Sequence, residues 1–370
     1  MLHQGLPTAP PPAPSGTSAL KVDPIRVMVV DDSVVVRGLV TRWIDEEPGL
    51  EAVARHANGR LAVEDVGRSV PDVIVLDIDM PVMDGLTALP LLLAARPQAK
   101  ILIVSTLTKR NAEISFKALS LGALDYVPKP ESNHEITTSL EFRGEVVRRI
   151  KALGGVITRG RPARLRPAFA RRPFSIVAPR IIAVGSSTGG PEALNALLVP
   201  LVPMLGQAPV VIAQHMPPIF TTILAERLQR ATGHEAREPA DREPVKRGTI
   251  YVAPGDKHMT VEGTDATCIR LNDGPPVNFC KPAVDTLFES VARTYGAAAL
   301  GVVLTGMGQD GAKGACAIAD AGGSIIAQDE SSSVVWGMPG AAAASGLCAA
   351  LLPPGEIGRV AVKLLQGVRP

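Results

Sequence analysis

Short apolar runs recur along the chain from Ile25 onwards, and a segment of helical length separates most of them from the next. In the first half these runs are Ile25–Val30, Val73–Leu76 and Ile101–Val104, with weaker ones near Leu50–Val53 and Leu124–Val127. Strands that alternate with helices build parallel sheets covered by helices on both faces. The pattern therefore predicts a five-stranded α/β domain in the first half of the chain.

A second series of the same kind begins at Ile181. Its predicted strands are Ile181–Val184, Val210–Ala213, Thr249–Ala253, Ala298–Leu304 and Ser324–Ala327. A chain of 370 residues has room for two domains of about 150 residues or more. We predict an α/β protein with two doubly wound parallel-sheet domains, a smaller one at residues 25–143 and a larger one at residues 179–368.

The segments that flank these domains differ from them in composition. Residues 1–24 are rich in Pro, Ala, Ser and Thr, which predicts a disordered tail. Ten basic residues and no acidic residue lie between Glu145 and Glu192. We interpret residues 144–178 as a solvated basic linker, and a docking patch for an acidic partner is the alternative.

The composition argues against several classes of function. Aromatic residues make up 3% of the chain and the net charge is +2, so we expect no nucleic-acid partner. The uncharged stretches 193–225 and 331–354 are interrupted by Pro and Gly and lack the roughly 20 strongly apolar residues of a membrane span. The first residues lack the pattern of a signal peptide. We expect a soluble, cytoplasmic protein without membrane insertion.

The four cysteines have no spacing typical of a metal or redox motif. No two of them lie within five residues of each other; they are Cys268, Cys280, Cys316 and Cys348. In a reducing compartment such cysteines are most often structural. We therefore expect four buried thiols.

Polar residues follow the predicted strands of the first domain at their carboxyl ends. Asp31 and Asp32 follow the first strand, Asp77 ends the third, Ser105 the fourth, and Lys129 comes after the fifth. The carboxyl ends of parallel strands meet at one edge of a sheet, so these side chains should converge. Carboxylates suit Mg²⁺, and the three aspartates could hold it while Asp77 attacks a phosphoryl group. The alternative is that these residues only cap helices.

The same positions resemble the receiver domain of bacterial response regulators. The matching segments are Asp31-Asp32, Asp77-x-x-Met80-Pro81-x-Met83-Asp84-Gly85, Ser105 and Tyr126-x-x-Lys129-Pro130. The resemblance implies that Asp77 accepts a phosphoryl group from a histidine kinase. It also implies that Ser105, Tyr126 and Lys129 are switch residues and that the Lys129–Pro130 peptide bond is cis.

The first strand of the second domain runs into the turn Gly185-Ser186-Ser187-Thr188-Gly189-Gly190-Pro191. A serine in this turn lies at the positive end of the following helix, where a developing oxyanion is stabilised. A phosphate-binding turn is the alternative, although the segment matches neither the dinucleotide nor the P-loop pattern. The residues alone do not distinguish Ser186 from Ser187 as the nucleophile.

A serine nucleophile needs a base and an acid that orients the base. His215 directly follows a predicted strand and ranks first among the six histidines, whereas His258 lies between predicted strands and ranks second. Asp310 follows the strand Ala298–Leu304 in a glycine-rich loop. The alternative for Asp310 is that it caps the helix predicted at Ala312–Ala321.

These segments together resemble the chemotaxis protein-glutamate methylesterase family over about residues 180–350. They are Gly185-x-Ser187-Thr188-Gly189-Gly190, Gln214-His215-Met216-Pro217 and Thr305-Gly306-Met307-Gly308-x-Asp310-Gly311. The resemblance implies that Ser187 is the nucleophile, His215 the general base and Asp310 the orienting acid. It also implies that the backbone amide of Met307 binds the oxyanion and that the esterase needs no cofactor. Asp79 departs from the family pattern, which usually has Glu there.

The implied function is hydrolysis of glutamate γ-methyl esters on methylated chemoreceptors, with deamidation of receptor glutamines, in chemotaxis adaptation. The unphosphorylated receiver would cover the catalytic face, and phosphorylation of Asp77 would relieve this inhibition. The rival is a phosphorylation-controlled binding or transcriptional module. Only the basic linker supports that rival, because the sequence has no recognisable helix-turn-helix segment.

Overall fold

The computed structural model describes residues 23–106, 108–130, 139–155, 172–263 and 266–369. Nearly all of the predicted tail and the middle of the predicted basic linker lie outside the described residues. Within these ranges, no helix is both long and apolar enough to cross a membrane.

The first domain is a five-stranded parallel sheet in the order β2-β1-β3-β4-β5. Its strands are β1 Ile25–Val30, β2 Leu50–His56, β3 Val73–Asp77, β4 Lys100–Thr106 and β5 Asp125–Lys129. Its helices are α1 Val34–Glu46, α2 Gly59–Ser69, α3 Gly85–Ala95, α4 Lys109–Ser120 and α5 Leu140–Gly154. All five residues of the central strand β3 are buried, as expected for a strand covered on both faces. The predicted fold of this domain is confirmed.

The second domain contains a seven-stranded parallel sheet in the order β14-β13-β12-β6-β7-β9-β8, with a separate antiparallel pair β10–β11. Its strands are β6 Ile181–Ser186, β7 Val210–Gln214, β8 Ala236–Arg237, β9 Ile250–Val252, β10 His258–Glu262, β11 Cys268–Asn272, β12 Ala299–Val303, β13 Ser324–Gln328 and β14 Ala350–Leu352. Its helices are α6 Gly190–Leu201, α7 Phe220–Thr232, α8 Val284–Tyr295, α9 Ala312–Asp320, α10 Met338–Ala344 and α11 Pro354–Leu365. The prediction of a larger parallel-sheet domain is confirmed.

Two expectations about local structure are wrong. The Lys129–Pro130 peptide bond is not cis; among the described residues only Lys281–Pro282 is. Trans is the lower-energy isomer of an X–Pro bond, so it forms unless tertiary packing selects cis. Of the four thiols, only Cys348 is buried, whereas the other three are partly exposed because they lie on a loop, a strand start and a helix face.

The two domains contact each other through α4 and β5 of the first and α7 of the second. The rings of Phe116 and Tyr126 pack against that of Phe220, the first residue of α7. Arg227, two turns further along α7, lies over the Phe116 ring and donates a hydrogen bond of 2.7 Å to Ser120 Oγ. Apolar and polar contacts thus join the end of the first sheet to one helix of the second domain.

Candidate active site

The acidic residues of the first domain converge at the carboxyl edge of its sheet. Ligand oxygens of Asp31, Asp32 and Asp77 lie within 4.8 Å of one another, with Asp32 exposed and the other two buried. Lys129 Nζ lies 2.7 Å from Asp31 Oδ2 and 2.9 Å from Asp77 Oδ2. A set of carboxylate oxygens, open to solvent on one side, fits the ligand preference of Mg²⁺.

Burial controls the charge of Asp77. It raises the pKa of this carboxyl to about 6, and the neighbouring Asp31 adds to the effect, whereas the Lys129 ammonium opposes it. Burial also disfavours the charged form of Lys129, but the two carboxylates outweigh it and raise the pKa of the ammonium. The pocket therefore holds two buried carboxylates against one cation, a balance that an added cation would improve.

Ser105 lies beside this pocket at the end of β4. Its hydroxyl is buried and has no hydrogen-bond partner among the described residues. Leaving a buried hydroxyl unpaired costs about 1–3 kcal/mol, so a hydrogen bond from Ser105 to a ligand oxygen would be favourable. Gly85 lets the chain pass close to Asp77, because a Cβ at this position would lie 2.1 Å from the Asp77 carbonyl oxygen. The Ser105 hydroxyl is thus a donor without a partner, within the described ranges, on the strand next to the one that ends at Asp77.

Two predicted features of the first domain take positions outside the pocket. Tyr126 is buried and its ring packs against the second domain. Asp79 accepts a hydrogen bond of 3.3 Å from Asn111 Nδ2, which also donates to Thr106 Oγ1 at 2.5 Å. Asp79, where the family usually has Glu, thus belongs to a side-chain network that joins the loop after β3 and the end of β4 to α4.

The serine turn of the second domain lies between two strand ends. The Ser187 amide donates to the Thr305 carbonyl oxygen at 3.0 Å, and Gly189 adopts a φ of +76° before α6. Gly306 permits this approach, because a Cβ there would lie 2.8 Å from Ser187 Cβ and 2.3 Å from Met338 Sδ. The turn after β6 therefore packs closely against the loop that follows β12.

The two serines of the turn have different environments. Ser186 is fully buried, and its hydroxyl donates to Gln214 Oε1 at 2.6 Å. The Gln214 side chain in turn donates to the Ser187 carbonyl oxygen at 3.0 Å. The Ser187 hydroxyl makes no hydrogen bond with any described residue, and Ser187 retains 8% of its exposure. Ser186 thus supports the turn, and Ser187 keeps a free hydroxyl.

His215 lies next to the turn and is paired with Asp310. The His215 amide donates to the Ser186 carbonyl oxygen at 3.1 Å, and its Nε2 lies 2.8 Å from Asp310 Oδ2. Asp310 also accepts hydrogen bonds from the Val284 amide at 2.6 Å and the Asp285 amide at 3.1 Å. These bonds cap α8, whereas Gly311 is the N-cap of α9. The alternative that Asp310 only caps the helix beginning at Ala312 is therefore wrong, because Gly311 is the N-cap of that helix.

Pairing raises the pKa of His215 and lowers the pKa of Asp310. Burial works against the imidazolium, but the hydrogen bonds to Asp310 and Cys280 outweigh it and raise the pKa of His215 to about 9. Burial also works against the Asp310 carboxylate, yet His215 and the amides at the start of α8 lower its pKa. The carboxylate thus holds the ring by its Nε2 and stabilises a proton on it.

His258, the second-ranked base, is occupied by the backbone. Its Nδ1 accepts from the Ala283 amide at 3.2 Å, and its Nε2 lies 3.0 Å from the Pro275 carbonyl oxygen. Only 2% of the residue is exposed. Both nitrogens are used to hold the loop before α8, so His258 has a structural role.

The sequence interpretation did not identify two neighbours of the pair. Cys280 Sγ lies 3.5 Å from His215 Nδ1, the ring nitrogen that Asp310 leaves free. Asn278 donates through Nδ2 to Asp310 Oδ1 at 3.0 Å and to Asp285 Oδ2 at 2.8 Å. Both residues come from the loop before α8, which no motif marked as part of the site.

Met307, the predicted oxyanion residue, follows the glycine that contacts the serine turn. Its backbone amide donates to no group in the described part of the chain, and its side chain is partly buried. Val335 belongs to an apolar cluster of the first domain, and the Met307 side chain packs against that cluster. This loop is therefore near both the serine and the first domain.

Comparisons with known proteins agree with this organisation. Residues 182–360 match the family model described as CheB methylesterase, and residues 27–141 match that of the response regulator receiver domain. A protein-glutamate methylesterase/protein-glutamine glutaminase from Rhodopseudomonas palustris (strain BisB5) is 51% identical, covering 96% of this chain and 98% of the relative. Another from Azospirillum brasilense is 50% identical, covering 96% of this chain and 97% of the relative.

The crystal structure of the Thermotoga maritima CheB methylesterase catalytic domain is 38% identical, with a TM-score of 0.49, covering 51% of this chain and 100% of that one. The matches to these two relatives extend over nearly the whole of this chain, so they include both of its domains. On this identity and coverage, the chain belongs to the family of protein-glutamate methylesterases that carry a response regulator receiver domain.

Proposed function

We propose that this protein is a cytoplasmic enzyme that hydrolyses glutamate γ-methyl esters on methylated chemoreceptors and deamidates receptor glutamines during chemotaxis adaptation. The names of relatives about half identical over their whole length support the substrate class. The observation that carries the proposal is the His215–Asp310 pair at 2.8 Å, next to the turn in which Ser187 has a free hydroxyl.

In the proposed mechanism His215 takes the proton of Ser187 while the serine oxygen attacks the ester carbonyl carbon. Asp310 occupies Nε2, so Nδ1 is the nitrogen that receives this proton. The imidazolium then gives the proton to the leaving methoxide, and methanol departs. Water, deprotonated by His215, cleaves the acyl-enzyme and releases glutamate. With a glutamine substrate the leaving group is ammonia.

The tetrahedral oxyanion would be stabilised by the free backbone amide of Met307 and by the amino-terminal end of α6. Asp310 stabilises the imidazolium and fixes its orientation, supported by Asn278 and by two backbone amides of α8. Every step uses side chains, backbone amides and water, so we propose an esterase that needs no cofactor.

The receiver would be phosphorylated on Asp77 by a histidine kinase. Asp31, Asp32 and Asp77 would hold Mg²⁺, which neutralises charge on the incoming phosphoryl group. The free hydroxyl of Ser105 would donate to a phosphoryl oxygen, and Lys129 would balance its charge. The convergence of the three aspartates and Lys129 and the unpaired hydroxyl of Ser105 support these roles.

Regulation would act through the contact between the domains. Tyr126 packs on Phe220, which begins α7 five residues after His215. Val335 shares an apolar cluster with the first domain, against which Met307 also packs. We propose that the unphosphorylated receiver restricts access to the serine through these contacts, and that Tyr126 moves when Asp77 is phosphorylated.

We propose the tail at 1–24 and the catalytic domain at 179–368, as the sequence predicts. The receiver, predicted at 25–143, continues to Gly154, because α5 packs on its core through Val146 and Ile150. The first residues of the predicted basic linker at 144–178 therefore belong to the receiver, and the connecting segment follows Gly154. The linker would set how far the two domains can separate after phosphorylation. Docking of the linker to an acidic partner remains its alternative role.

Methanol release from methylated receptor membranes tests the function directly. The wild-type protein should release methanol, and Ser187→Ala should not, although its circular dichroism spectrum should be unchanged. A phosphorylation-controlled binding module would bind receptors equally well in both forms and release no methanol in either.

A further inference from the structure

Cys280, His215 and Asp310 form a compact group of three potential metal ligands in the catalytic domain. One ligand atom from each lies within 4.8 Å of those of the other two. Cys280 and Asp310 come from two different loops, and His215 follows β7. The proposed hydrolysis uses His215 and Asp310 but gives the thiol no role.

We propose that Cys280 Sγ and His215 Nδ1 bind a zinc ion that inhibits the esterase. The proposal extends the proposed function, since the same ring nitrogen would serve as the general base. The thiol would thus share a zinc ion with His215 Nδ1, the atom that accepts the proton of Ser187 in the proposed mechanism.

The distance between the two donor atoms suits a single metal ion. Cys280 Sγ and His215 Nδ1 are 3.5 Å apart. Zinc binds sulfur at about 2.3 Å and imidazole nitrogen at about 2.0–2.1 Å, so two ligands at the tetrahedral angle lie about 3.5 Å apart. The two side chains therefore need little movement to accept the ion.

Asp310 prepares the imidazole for this role. A histidine that binds a metal through one nitrogen commonly donates its other N–H to a carboxylate, which fixes the ring and the tautomer. Asp310 Oδ2 lies 2.8 Å from Nε2 and is itself held by amides at the start of α8. In the neutral imidazole, Nδ1 is thereby left with its lone pair on the side of the thiol, and zinc competes with a proton for it.

The donor set selects for zinc over the abundant hard cations. Thiolate and imidazole favour Zn²⁺, whereas Mg²⁺ prefers the oxygen ligands of the receiver pocket. Cys280 is partly exposed and the neighbouring Phe279 is 96% exposed, so solvent reaches this loop. Binding releases the thiol proton to solvent, and water fills the remaining coordination positions.

The test uses full-length, unphosphorylated protein with excess Mg²⁺ to occupy the carboxylates of the receiver. Methanol release is titrated with Zn²⁺ for wild type, for Cys280→Ala and for Cys268→Ala, which removes another partly exposed cysteine. Each protein is normalised to its own activity without zinc. The zinc concentration for half inhibition should rise about tenfold or more in Cys280→Ala. It should not change in Cys268→Ala, and a chelator should restore activity.

Co²⁺ provides a readout that needs no turnover. A thiolate–cobalt bond produces a charge-transfer absorption band in the near ultraviolet, which should be present in wild type and Cys268→Ala and absent in Cys280→Ala. A cobalt band in a protein without esterase activity would contradict the proposed function and leave the metal site standing. Equal zinc sensitivity of wild type and Cys280→Ala, or a wild-type protein without the band, would overturn the metal site.

Discussion

The ring of Tyr126 in the receiver lies flat on the ring of Phe220 in the catalytic domain, with centroids 4.1 Å apart and planes 3° from parallel. Tyr126 lies in β5, the strand that ends at Lys129, and Phe220 begins the helix that follows His215. One aromatic pair therefore connects the element that carries a proposed phosphate ligand to the element that follows the proposed base.

The polar edge of this contact offers a mild test of inhibition by the receiver. Arg227→Ala removes the guanidinium from the Phe116 ring, 5.1 Å from its centroid, and the hydrogen bond to Ser120. A loss of about 1 kcal/mol of contact energy between the domains would favour separation of the receiver from the catalytic domain about fivefold. Methanol release by the unphosphorylated protein should therefore rise. Arg230→Ala, on the same helix, is the control and should not raise it, and a fall in activity with Arg227→Ala would argue that the receiver activates.

The choice between the two serines can be tested by a matched pair of substitutions. Ser187→Ala should lower turnover by at least about a thousandfold, because it removes the proposed nucleophile. Ser186→Ala should cost about 1–2 kcal/mol of unfolding free energy, because Gln214 loses its buried partner, yet turnover should remain measurable. Steady-state methanol release and urea unfolding measure the two effects. The reverse pattern of activity would transfer the nucleophile to Ser186.

The raised pKa of His215 predicts an alkaline activity profile. A general base must be neutral, so kcat/KM should increase with pH through a midpoint above the ordinary value of 6.5, towards about 9. Cys280→Ala should lower this midpoint, because the thiol contributes to the shift, whereas Cys268→Ala should leave it in place. A wild-type midpoint at or below 6.5 would contradict the assignment of His215 as the base.

The raised pKa of His215 also predicts that the free energy of unfolding falls as the pH rises, whereas activity increases. The folded protein favours the His215 imidazolium, so this stabilisation is complete below about pH 6.5 and is lost as the pH rises through about 9. Asp310→Asn should largely abolish it and reduce turnover by a factor of about 10⁴, because the imidazolium loses its partner. The carboxamide oxygen can still accept from the Val284 amide, so the fold should persist. Urea unfolding across this pH range, compared with wild type, measures the effect.

The raised pKa of Asp77 makes the folded protein less stable as the pH rises. A carboxylate whose pKa is lowered by an ion pair has the opposite effect. Its stabilising contribution is complete below about pH 3.8 and is lost as the pH rises through about 6, because the fold favours the protonated carboxyl. Between these limits wild type should lose about 2–3 kcal/mol relative to Asp77→Asn in the absence of Mg²⁺. Adding Mg²⁺ at neutral pH should stabilise wild type more than the variant.

Asp77→Asn also tests the regulatory proposal. The ratio of methylesterase activity with and without a small phosphodonor should exceed one for wild type and equal one for the variant. Asp84→Asn is a suitable control, because Asp84 caps α3 and its carboxamide can still accept from the Thr87 amide. Activation of the Asp77→Asn protein by the phosphodonor would show that another group is phosphorylated.

The fold could be predicted from the sequence because its strands are continuous apolar runs. The predicted apolar runs coincide within two residues with β1, β3, β6 and β7, since strands buried on both faces need apolar side chains at every position. The edge strands β8 and β14 were not predicted. They are only two and three residues long, and their pairing depends on neighbours distant in the sequence.

The grouping of the candidate site residues was largely visible in the sequence as well. Polar residues at the carboxyl ends of parallel strands must meet at one edge, so Asp31 and Asp77 converge, as do Ser187 and His215. Which serine keeps a free hydroxyl was decided only by Gln214, whose side chain engages Ser186.

The contact between Cys280 and His215 and that between Tyr126 and Phe220 were decided by tertiary structure alone. The first joins residues 65 positions apart and the second joins two domains, and neither pair leaves a periodic or composition signal in the chain. Strand position follows from the local requirement to bury apolar side chains on both faces of a sheet. Contacts between a loop and a strand end, or between two domain surfaces, follow from how whole elements pack, so they are decided only when the complete chain has folded.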